Sequence, residues 1–371
     1  MVSKESITFL IDNLGSGGAQ KQLYVLCSFL VKRNYEIRVV CYHVYGDDFY
    51  TGPLRKVGVT VDHFVLASYF KRTRTIAQHL KEHPSQFVFS YLYGANILAC
   101  LVKLFWIPKM KLVVSDRMGV LGQPSLKDWI RYLLYSIANK VFTNSFDISE
   151  KLSLRAPWLK SKITTFWNIV DLPELPATPS VEALKTRILT GASFHYYKNH
   201  LRFIQAIDYA IKNLGVQTNQ FEVICFGNFM LPENAEYINQ IKEYILTNGL
   251  SDSVMLNEAK PNLESEIRAC DFVALPSLFE GCPNFVIEGM AWSKPVLVSN
   301  VCANGYIVGH KGGYLFDPTS IEDMSMKFKS AIESNIIARI AMGEANRTRC
   351  SELFSAQRNL EIFEETLDEL R

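Results

Sequence analysis

Two carboxylates in the stretch SLFEGCPNFVIEGMAWSKPVLVS, residues 277–299, could act together on one ligand. Glu280 and Glu288 are eight positions apart and flank a Gly-Cys-Pro-Asn turn. Pro283 favours a helix start, since its missing N–H would have no partner in the first turn of a helix. The pattern therefore predicts one acid just ahead of a helix and one inside its first turns. Both acids can accept charge-assisted hydrogen bonds from hydroxyl groups.

The start of the same helix is expected to bind an anion. The first backbone N–H groups of a helix have no intrahelical acceptor, and together with the helix dipole they favour negative charge. A diphosphate suits such a position. The turn and first helical turn that would form this site are Gly281, Cys282, Pro283, Asn284, Phe285 and Val286.

The two acids are expected to have different partners beside this anion. Glu280 would repel the phosphates and therefore suits the hydroxyls of a neutral polyol, whereas Glu288 can accept from the two vicinal hydroxyls of a ribose. A diphosphate between a sugar and a ribose is a nucleotide sugar. The alternative from the residues alone is that Glu288 complements a helix dipole and Glu280 is a solvated loop residue.

Strand-like runs alternate with helical patterns in both halves of the chain, which is typical of parallel sheets with crossover helices. The first half contains SITFLID, NYEIRVVCYH, QFVFSYL, KLVVS and NKVFTNS, and the second contains RILTGASF, EVICFGN, DFVALPS, KPVLVS and GYLF. We therefore expect an α/β protein with two Rossmann-like domains that face a cleft. Ligands of such sheets bind at the carboxyl ends of the strands.

The domain boundaries follow from a loss of periodicity. NIVDLPELPATPSVE, residues 168–182, contains three prolines and predicts a linker. The expected domains are 1–170 and 171–354. A last helix within 355–371 is expected to pack back on the first domain.

Composition limits the class of protein. The chain of 371 residues is 48% hydrophobic and 20% charged, as globular proteins are, and no apolar run reaches the roughly 18 residues of a membrane span. The start reads as a strand rather than a signal peptide, so we expect a cytoplasmic protein. The 8 cysteines form no C-x-x-C pair, which argues against a zinc site or a disulfide framework.

Charge is distributed unevenly. Residues 1–171 hold 22 Lys and Arg against 12 Asp and Glu, a net charge of +10, and the remainder holds 17 against 25, a net charge of −8. The basic half includes KRTR (71–74) and NILACLVKLFWIPKMK (96–111), whose mixture of lysine with Leu, Phe and Trp suits an anionic membrane surface. A buried crossover helix with lysine tips in water explains it equally well. No nucleic-acid-binding motif accompanies the charge, so nucleic acid is not an expected partner.

The E-x7-E pattern of Glu280 and Glu288 resembles the hallmark of retaining glycosyltransferases of family 4, the group 1 glycosyl transferases, which have the GT-B fold of two Rossmann-like domains. The resemblance runs almost end to end. It includes GSGGAQKQL (15–23), FHYYKNH (194–200), FGN (226–228), GGYLF (312–316) and a final helix. It implies that the N-terminal domain binds the acceptor and the C-terminal domain binds the nucleotide sugar.

The resemblance also assigns roles to individual residues. Lys198 would pair with the diphosphate, where negative charge develops as the glycosidic bond breaks, and Glu280 would hold the transferred sugar; these are the two expected catalytic residues. Such enzymes need no metal ion, so neither a metal nor another cofactor is expected. Residues expected near the donor are Gly17, Gly18, Ser193, Gly227, Asn228, Gly281, Cys282, Pro283, Asn284, Phe285, Val286 and Glu288. The base is expected near Gly227, Asn228, Asn257 and Lys260, in loops.

Two departures from the family pattern concern the electrostatics of the site. Ser193 stands where the family usually has an arginine on the phosphates, and none of the seven histidines follows the strand KLVVS, where many relatives have one. Arg117, just after that strand, is a possible replacement from across the cleft, although a surface ion pair with Asp116 or another acid explains it equally well. The glycines of residues 15–18 do not meet the G-x-G-x-x-G spacing of a dinucleotide loop, since position 20 is Gln20.

The sequence thus predicts a metal-independent retaining hexosyltransferase that uses a nucleotide sugar, with UDP as the expected nucleotide. The expected acceptor is a lipid-linked or cell-surface glycan, as in lipopolysaccharide or other polysaccharide biosynthesis, reached at the cytoplasmic face of the membrane. Two alternatives remain open. One is a GT-B sugar-nucleotide epimerase, and the other is a non-catalytic GT-B partner subunit, which Ser193 and the absent histidine favour.

Overall fold

A computed structural model describes residues 4–43, 49–65, 68–117, 122–175, 185–229, 234–260 and 262–371. The chain divides into two compact units: unit 1 is Met1–Ile169 with Ala356–Arg371, and unit 2 is Val170–Ser355. The chain passes from unit 1 to unit 2 after Ile169 and returns to unit 1 after Ser355. These two points of the chain are adjacent, because Val170 pairs with Ser355 in a parallel bridge and the Val170 N–H donates to Phe354 O at 3.0 Å. The linker expected at 168–182 lies partly outside the described residues.

Unit 1 contains a seven-stranded sheet in which every described pairing is parallel. The strands are β1 Ser6–Ile11, β2 Glu36–Cys41, β3 Thr60–His63, β4 Phe87–Tyr91, β5 Leu112–Asp116, β6 Lys140–Thr143 and β7 Ile163–Thr165. Their order is β3-β2-β1-β4-β5-β6-β7. The sequence predicted five of these strands. It missed β3 and β7, which are short and carry little apolar pattern.

Helices cover this sheet. They are α1 Gly18–Lys32, α2 Thr51–Lys56, α3 Tyr69–Glu82, α4 Tyr93–Phe105, α5 Leu126–Tyr135, α6 Phe146–Arg155, a 3-10 helix Pro157–Lys162, and, after unit 2, α14 Ala356–Leu370. The last helix contributes Leu360, Phe363 and Leu367 to the core of unit 1. The Phe363 ring stacks on Phe89 of β4 with centroids 4.7 Å apart.

Unit 2 contains a six-stranded sheet, again parallel at every described pairing. Its strands are β8 Thr186–Gly191, β9 Phe221–Gly227, β10 Val254–Glu258, β11 Phe272–Leu275, β12 Val296–Ser299 and β13 Gly313–Phe316. The order is β10-β9-β8-β11-β12-β13, so the direction of strand addition reverses between β8 and β11. Loops leave these two neighbouring strands on opposite faces, which opens a ligand crevice at their carboxyl ends.

The helices of unit 2 are α7 His200–Leu214, α8 Ala235–Thr247, α9 Glu264–Ala269, α10 Asn284–Ala291, α11 Asn304–Val308, α12 Ile321–Glu333 and α13 Ile336–Phe354, with 3-10 helices at Tyr196–Lys198 and Thr218–Gln220. Helix α7 buries Ile204 and Ile207 and ends at Gly215, whose φ of 78° suits glycine. Two residues expected in loops lie in strands instead. Gly227 ends β9 and Asn257 lies in β10, where it pairs with Phe226, since VMLNE extends the sheet by one edge strand.

The basic segment 96–111 is mainly a buried crossover helix. Leu98, Ala99 and Val102 on α4 are in the core of unit 1, and Leu104 and Phe105 are exposed near its end. The structure thus favours the second of the two explanations for this segment. Among the residues that the structure describes, no helix is long and apolar enough to cross a membrane. All eight cysteines lie in the described part of the chain, and none of them forms a disulfide there.

Candidate functional site

The loop after β8 carries Lys198 on a single turn of 3-10 helix. The Lys198 N–H donates to His195 O at 2.8 Å, and the next residue, Asn199, has φ 61° and ψ 27°. Asparagine is one of the few residues that tolerate this left-handed conformation. The buried Asn199 amide donates to Pro276 O at 3.1 Å and to Pro318 O at 2.9 Å. This side chain therefore joins the loops that follow β8, β11 and β13.

The loop after β11 brings Glu280 to Lys198. The Leu278 N–H donates to Tyr197 O at 2.8 Å, which fixes the two loops to each other. Lys198 Nζ lies 2.6 Å from Glu280 Oε1, and the side chains are 18% and 9% exposed. Glu280 is thus a buried, ion-paired carboxylate, and the alternative of a solvated loop residue is wrong. The two residues that the resemblance gave to different parts of one ligand are in direct contact.

Helix α10 begins beside this pair without a side-chain cap. Pro283 is its N-cap, with φ −79° and ψ 99°, and the helix starts at Asn284, one residue later than predicted. The first hydrogen bond of the helix runs from the Ile287 N–H to Pro283 O at 3.1 Å. The N–H groups of Phe285 and Val286 precede it in the first turn, where no intrahelical acceptor exists. Glu288 follows in the second turn and is half-buried.

Two glycines allow the loops around the site to approach closely. A Cβ at Gly191, the last residue of β8, would lie 2.6 Å from the Phe285 ring of α10. A Cβ at Gly227, the last residue of β9, would lie 2.6 Å from Ala192 O and 2.7 Å from the Phe194 ring. These distances are too short for a side chain. Packing alone therefore requires glycine at position 227, whether or not this residue also contacts a donor.

The histidine two residues after Lys198 is held in its neutral form. His200 is 1% exposed, and its Nε2 lies 3.4 Å from Thr190 Oγ1. Burial, and then the charge of Lys198, lower the pKa of His200 to about 3. Sequence reasoning gave neither Asn199 nor His200 a role. For Asn199, the sequence did offer a signal, because asparagine directly before a helical pattern is typical of a helix N-terminus.

The glycine loop of unit 1 is organised by one asparagine. Asn13 Oδ1 accepts from the Gly15 N–H at 3.0 Å and from Gln20 Nε2 at 3.1 Å. Gly17 is the N-cap of α1 and Gly18 its first residue, with no side-chain cap. The loop therefore follows β1 and leads directly into a helix start, and the role of Gly17 and Gly18 towards a donor stays a prediction.

Arg117 follows β5 and is buried rather than at the surface. It is 8% exposed, its guanidinium lies 5.2 Å from the centroid of the Tyr91 ring, and it donates to Asn168 Oδ1. The neighbouring Asp116 is ion-paired at 3.3 Å with Arg131 of α5. A surface ion pair thus does not describe Arg117. Its role towards a ligand stays a prediction.

One group of side chains in the described part of the chain has the arrangement of metal ligands. His79, Glu82 and His83 lie at the end of α3, with potential ligand atoms within 4.8 Å of one another. Asp62 Oδ2 accepts a hydrogen bond from His79 Nε2 at 3.0 Å. None of these residues is a predicted donor-binding residue, so this group does not bear on the candidate site.

Comparison with known proteins shows what the chain is similar to. Residues 180–349 match the family model described as Glycosyl transferases group 1. The chain is 28% identical over 174 residues to UDP-Gal:alpha-D-GlcNAc-diphosphoundecaprenol alpha-1,3-galactosyltransferase of Escherichia coli, and this match covers 43% of each protein. It is 25% identical over 301 residues to GalNAc-alpha-(1->4)-GalNAc-alpha-(1->3)-diNAcBac-PP-undecaprenol alpha-1,4-N-acetyl-D-galactosaminyltransferase of Campylobacter jejuni, with 76% of each covered.

Solved structures share the fold over the whole chain. A glycosyltransferase from Rickettsia africae superimposes with a TM-score of 0.81 at 16% identity and covers 99% of each chain. Anabaena Alr3699/HepE in complex with UDP and glucose superimposes with a TM-score of 0.85 at 17% identity, over 98% of this chain and 100% of that one. The predicted GT-B fold is confirmed. With the match of residues 180–349, these findings support a glycosyltransferase of the GT-B fold.

Proposed function

We propose that this protein is a metal-independent retaining glycosyltransferase of family 4 that transfers a hexose from a UDP-sugar to a lipid-linked glycan. The observation that carries the proposal is the buried Lys198–Glu280 pair beside the uncapped start of α10, at the carboxyl ends of β8 and β11. This is the strand switch point at which open parallel sheets bind nucleotides. An acid, a lysine and the first amides of a helix are brought together there from two separate loops.

The donor is expected to lie with its diphosphate at the start of α10. The N–H groups of Phe285 and Val286, with the helix dipole and the Lys198 ammonium, provide positive potential for two phosphates. Glu288, half-buried one turn further along, suits the ribose hydroxyls. Glu280, already paired with the lysine, accepts hydrogen bonds from the sugar hydroxyls.

We propose that transfer at this site proceeds with retention. The bond between the anomeric carbon and the phosphate oxygen breaks as the acceptor hydroxyl oxygen bonds to the same face of that carbon. The proton of the hydroxyl passes to the departing phosphate oxygen, so the products are a glycoside and UDP. No protein nucleophile is needed. Lys198 stabilises the charge that develops on the leaving group, which is a contribution typically of about 10² to 10³ in rate.

The acceptor class is supported by the relatives. The Escherichia coli and Campylobacter jejuni proteins are named for transfer to sugars on diphosphoundecaprenol or PP-undecaprenol. The donor nucleotide is supported by the Escherichia coli name and by the neighbour solved with UDP and glucose. By analogy we propose an undecaprenyl diphosphate-linked glycan as the acceptor, met by a cytoplasmic, peripherally bound enzyme in polysaccharide or lipopolysaccharide synthesis.

The test is an assay of the full chain with UDP-glucose, UDP-galactose and their N-acetyl forms, each with diphosphoundecaprenol-linked GlcNAc. We expect a lipid product one hexose heavier by mass spectrometry, an α-linkage by NMR, and full activity in EDTA. Lys198→Ala should abolish most of the activity. Lys212→Ala, which removes a side chain 56% exposed on α7, is the matched control.

The same assay separates the alternatives. An altered donor sugar in the absence of acceptor would identify a sugar-nucleotide epimerase. A chain that binds UDP without altering any donor, with or without acceptor, would be a partner subunit. A β-linked product would overturn retention, and loss of turnover in EDTA would overturn metal independence.

A further inference from the structure

Helix α5 exposes the side chains that a surface helix normally buries. Leu126, Trp129, Ile130 and Leu133 recur at helical spacing on one face and are 76%, 39%, 49% and 62% exposed. A surface helix of a globular protein points such a stripe towards the core. On α5, the charged Arg131 points inward instead and is 4% exposed. The helix therefore buries Arg131, Tyr132 and Tyr135 and exposes its apolar stripe.

The inward face fixes α5 in this orientation. Arg131 is ion-paired with Asp116 at 3.3 Å and with Asp128 at 3.4 Å. Tyr135 is fully buried, and its hydroxyl accepts from Asn96 Nδ2 at 3.0 Å. A capping box of Ser125 and Asp128 begins the helix. Rotation of the apolar face inward would break these bonds, turn Arg131 outward and separate it from the buried Asp116 carboxylate, which is strongly unfavourable.

A second segment extends the exposed apolar face. Trp158, on the 3-10 helix Pro157–Lys162, is 47% exposed, and its ring centroid lies 6.4 Å from that of Trp129. Lys162 Nζ donates to Ser136 O and Ala138 O at 2.5 Å and 2.8 Å, which holds this segment against the end of α5. We name Leu126, Trp129, Ile130, Leu133 and Trp158 the tryptophan surface. A contiguous exposed apolar surface of this kind is typical of a binding site.

The charges around the tryptophan surface indicate its partner. Residues 122–162 contain seven lysines and arginines against three acids. Lys127 on α5 and Lys160 beside Trp158 are exposed, whereas Asp128 is engaged by its capping box and Arg131. Tryptophan is favoured at membrane interfaces, and each exposed basic residue near an anionic lipid surface adds to binding.

We propose that the tryptophan surface inserts into the headgroup region of an anionic phospholipid bilayer. The proposal rests on the proposed function, since it would hold unit 1 at the surface where a lipid-linked acceptor is found. It places membrane contact on α5 and residues 157–162 instead of segment 96–111, whose helix is largely buried. A protein partner would have to supply an acidic apolar surface, and a second copy carries the same positive charge.

Vesicle binding of the full chain tests the proposal. We expect co-sedimentation with vesicles of phosphatidylcholine and phosphatidylglycerol, weakened by salt, and little with phosphatidylcholine alone. The pair Leu133→Ser and Trp158→Ala should reduce the partition coefficient at least tenfold. Lys127→Gln and Lys160→Gln should each reduce it about fivefold for the anionic vesicles, which corresponds to about 1 kcal/mol. The matched control is Leu246→Ser, because Leu246 is 75% exposed on α8 of unit 2.

The outcomes separate this proposal from the proposed function. Equal vesicle binding by the wild type, the apolar pair and the control would overturn the membrane proposal. Absence of vesicle binding would also overturn it. If the chain then dimerises in sedimentation velocity, the tryptophan surface would be assigned to a second copy of the chain. Vesicle binding needs no donor or acceptor, so it is readable even if no transfer is found. Where transfer is found, the apolar pair should slow it for acceptor in vesicles and leave it unchanged for acceptor in detergent micelles.

Discussion

Lys198 Nζ lies 2.6 Å from Glu280 Oε1, although the two residues are 82 positions apart in the chain. The backbones that carry them are joined by the bond from Leu278 N to Tyr197 O at 2.8 Å. The pair is therefore part of the architecture of the site as well as of its chemistry. Replacement of either residue leaves a charge in a buried position without its partner.

Lys198→Ala should slow transfer by about 10² or more, since it removes a donor from the developing phosphate charge. It should also lower the free energy of unfolding by about 1 to 3 kcal/mol, because Glu280 loses a buried hydrogen-bonded partner. Kinetics and urea denaturation measure the two effects. The double variant with Glu280→Gln should regain stability and not activity. Lys212→Ala also removes the lysine partner of a buried carboxylate, Asp208, and should lower stability while leaving turnover unchanged. Wild-type turnover in folded Lys198→Ala would remove this lysine from the mechanism.

Glu280→Gln and Glu288→Gln should separate sugar binding from nucleotide binding. Loss of the Glu280 charge should impair transfer without weakening the affinity for free UDP, since it also releases Lys198 from its ion pair and leaves it available to the diphosphate. Glu288→Gln should weaken the binding of free UDP, since a charge-assisted hydrogen bond of about 1.5 to 3 kcal/mol becomes a weaker neutral one. Calorimetry with UDP, alongside transfer rates, gives both values. If Glu280→Gln weakens UDP binding and Glu288→Gln does not, the two roles are reversed. If neither variant changes UDP affinity or transfer, the two acids have only a structural role.

Asn199 should act as a positioning residue for Lys198. Asn199→Gly keeps the left-handed backbone at φ 61° and loses both side-chain bonds, whereas Asn199→Ala also strains the backbone by about 1 to 2 kcal/mol. Both variants should lower kcat with little change in UDP affinity, and the alanine variant should be the less stable. If the glycine variant keeps wild-type kcat, the loop holds Lys198 without this amide.

Acid should destabilise unit 2 through His200. The pKa of His200 is about 3 in the folded protein and about 6.5 in the unfolded chain, so between these values only the unfolded chain binds the proton. The stabilising effect is fully present above pH about 6.5 and decreases by about 1.4 kcal/mol per pH unit below it. Urea unfolding at pH 7.5 and pH 5 should show this loss in wild type and in the exposed control His310→Gln, and a smaller loss in His200→Gln.

The sheets were predictable where apolar β-rich runs are long, as in EVICFGN and KPVLVS. Short or polar strands were not, and VMLNE was left in a loop because Asn257 and Glu258 break its pattern. At the site, motif spacing identified Lys198 and Glu280 singly. Their pairing could not be predicted, since it depends on contacts among loops that Asn199 and the bond from Leu278 N to Tyr197 O hold together. The exposed apolar stripe of α5 was likewise not predictable, because such a stripe normally marks the buried face of a helix.

Helix α14 also has a consequence for how the protein is made. Its Phe363 stacks on Phe89 in the core of unit 1, yet the ribosome synthesises all of unit 2 between the two residues. Unit 1 thus emerges first and is completed last, with an unfilled core for as long as unit 2 is being translated. A released chain truncated after Ser355 should contain a folded, protease-resistant unit 2 attached to a first unit that is still open to cleavage.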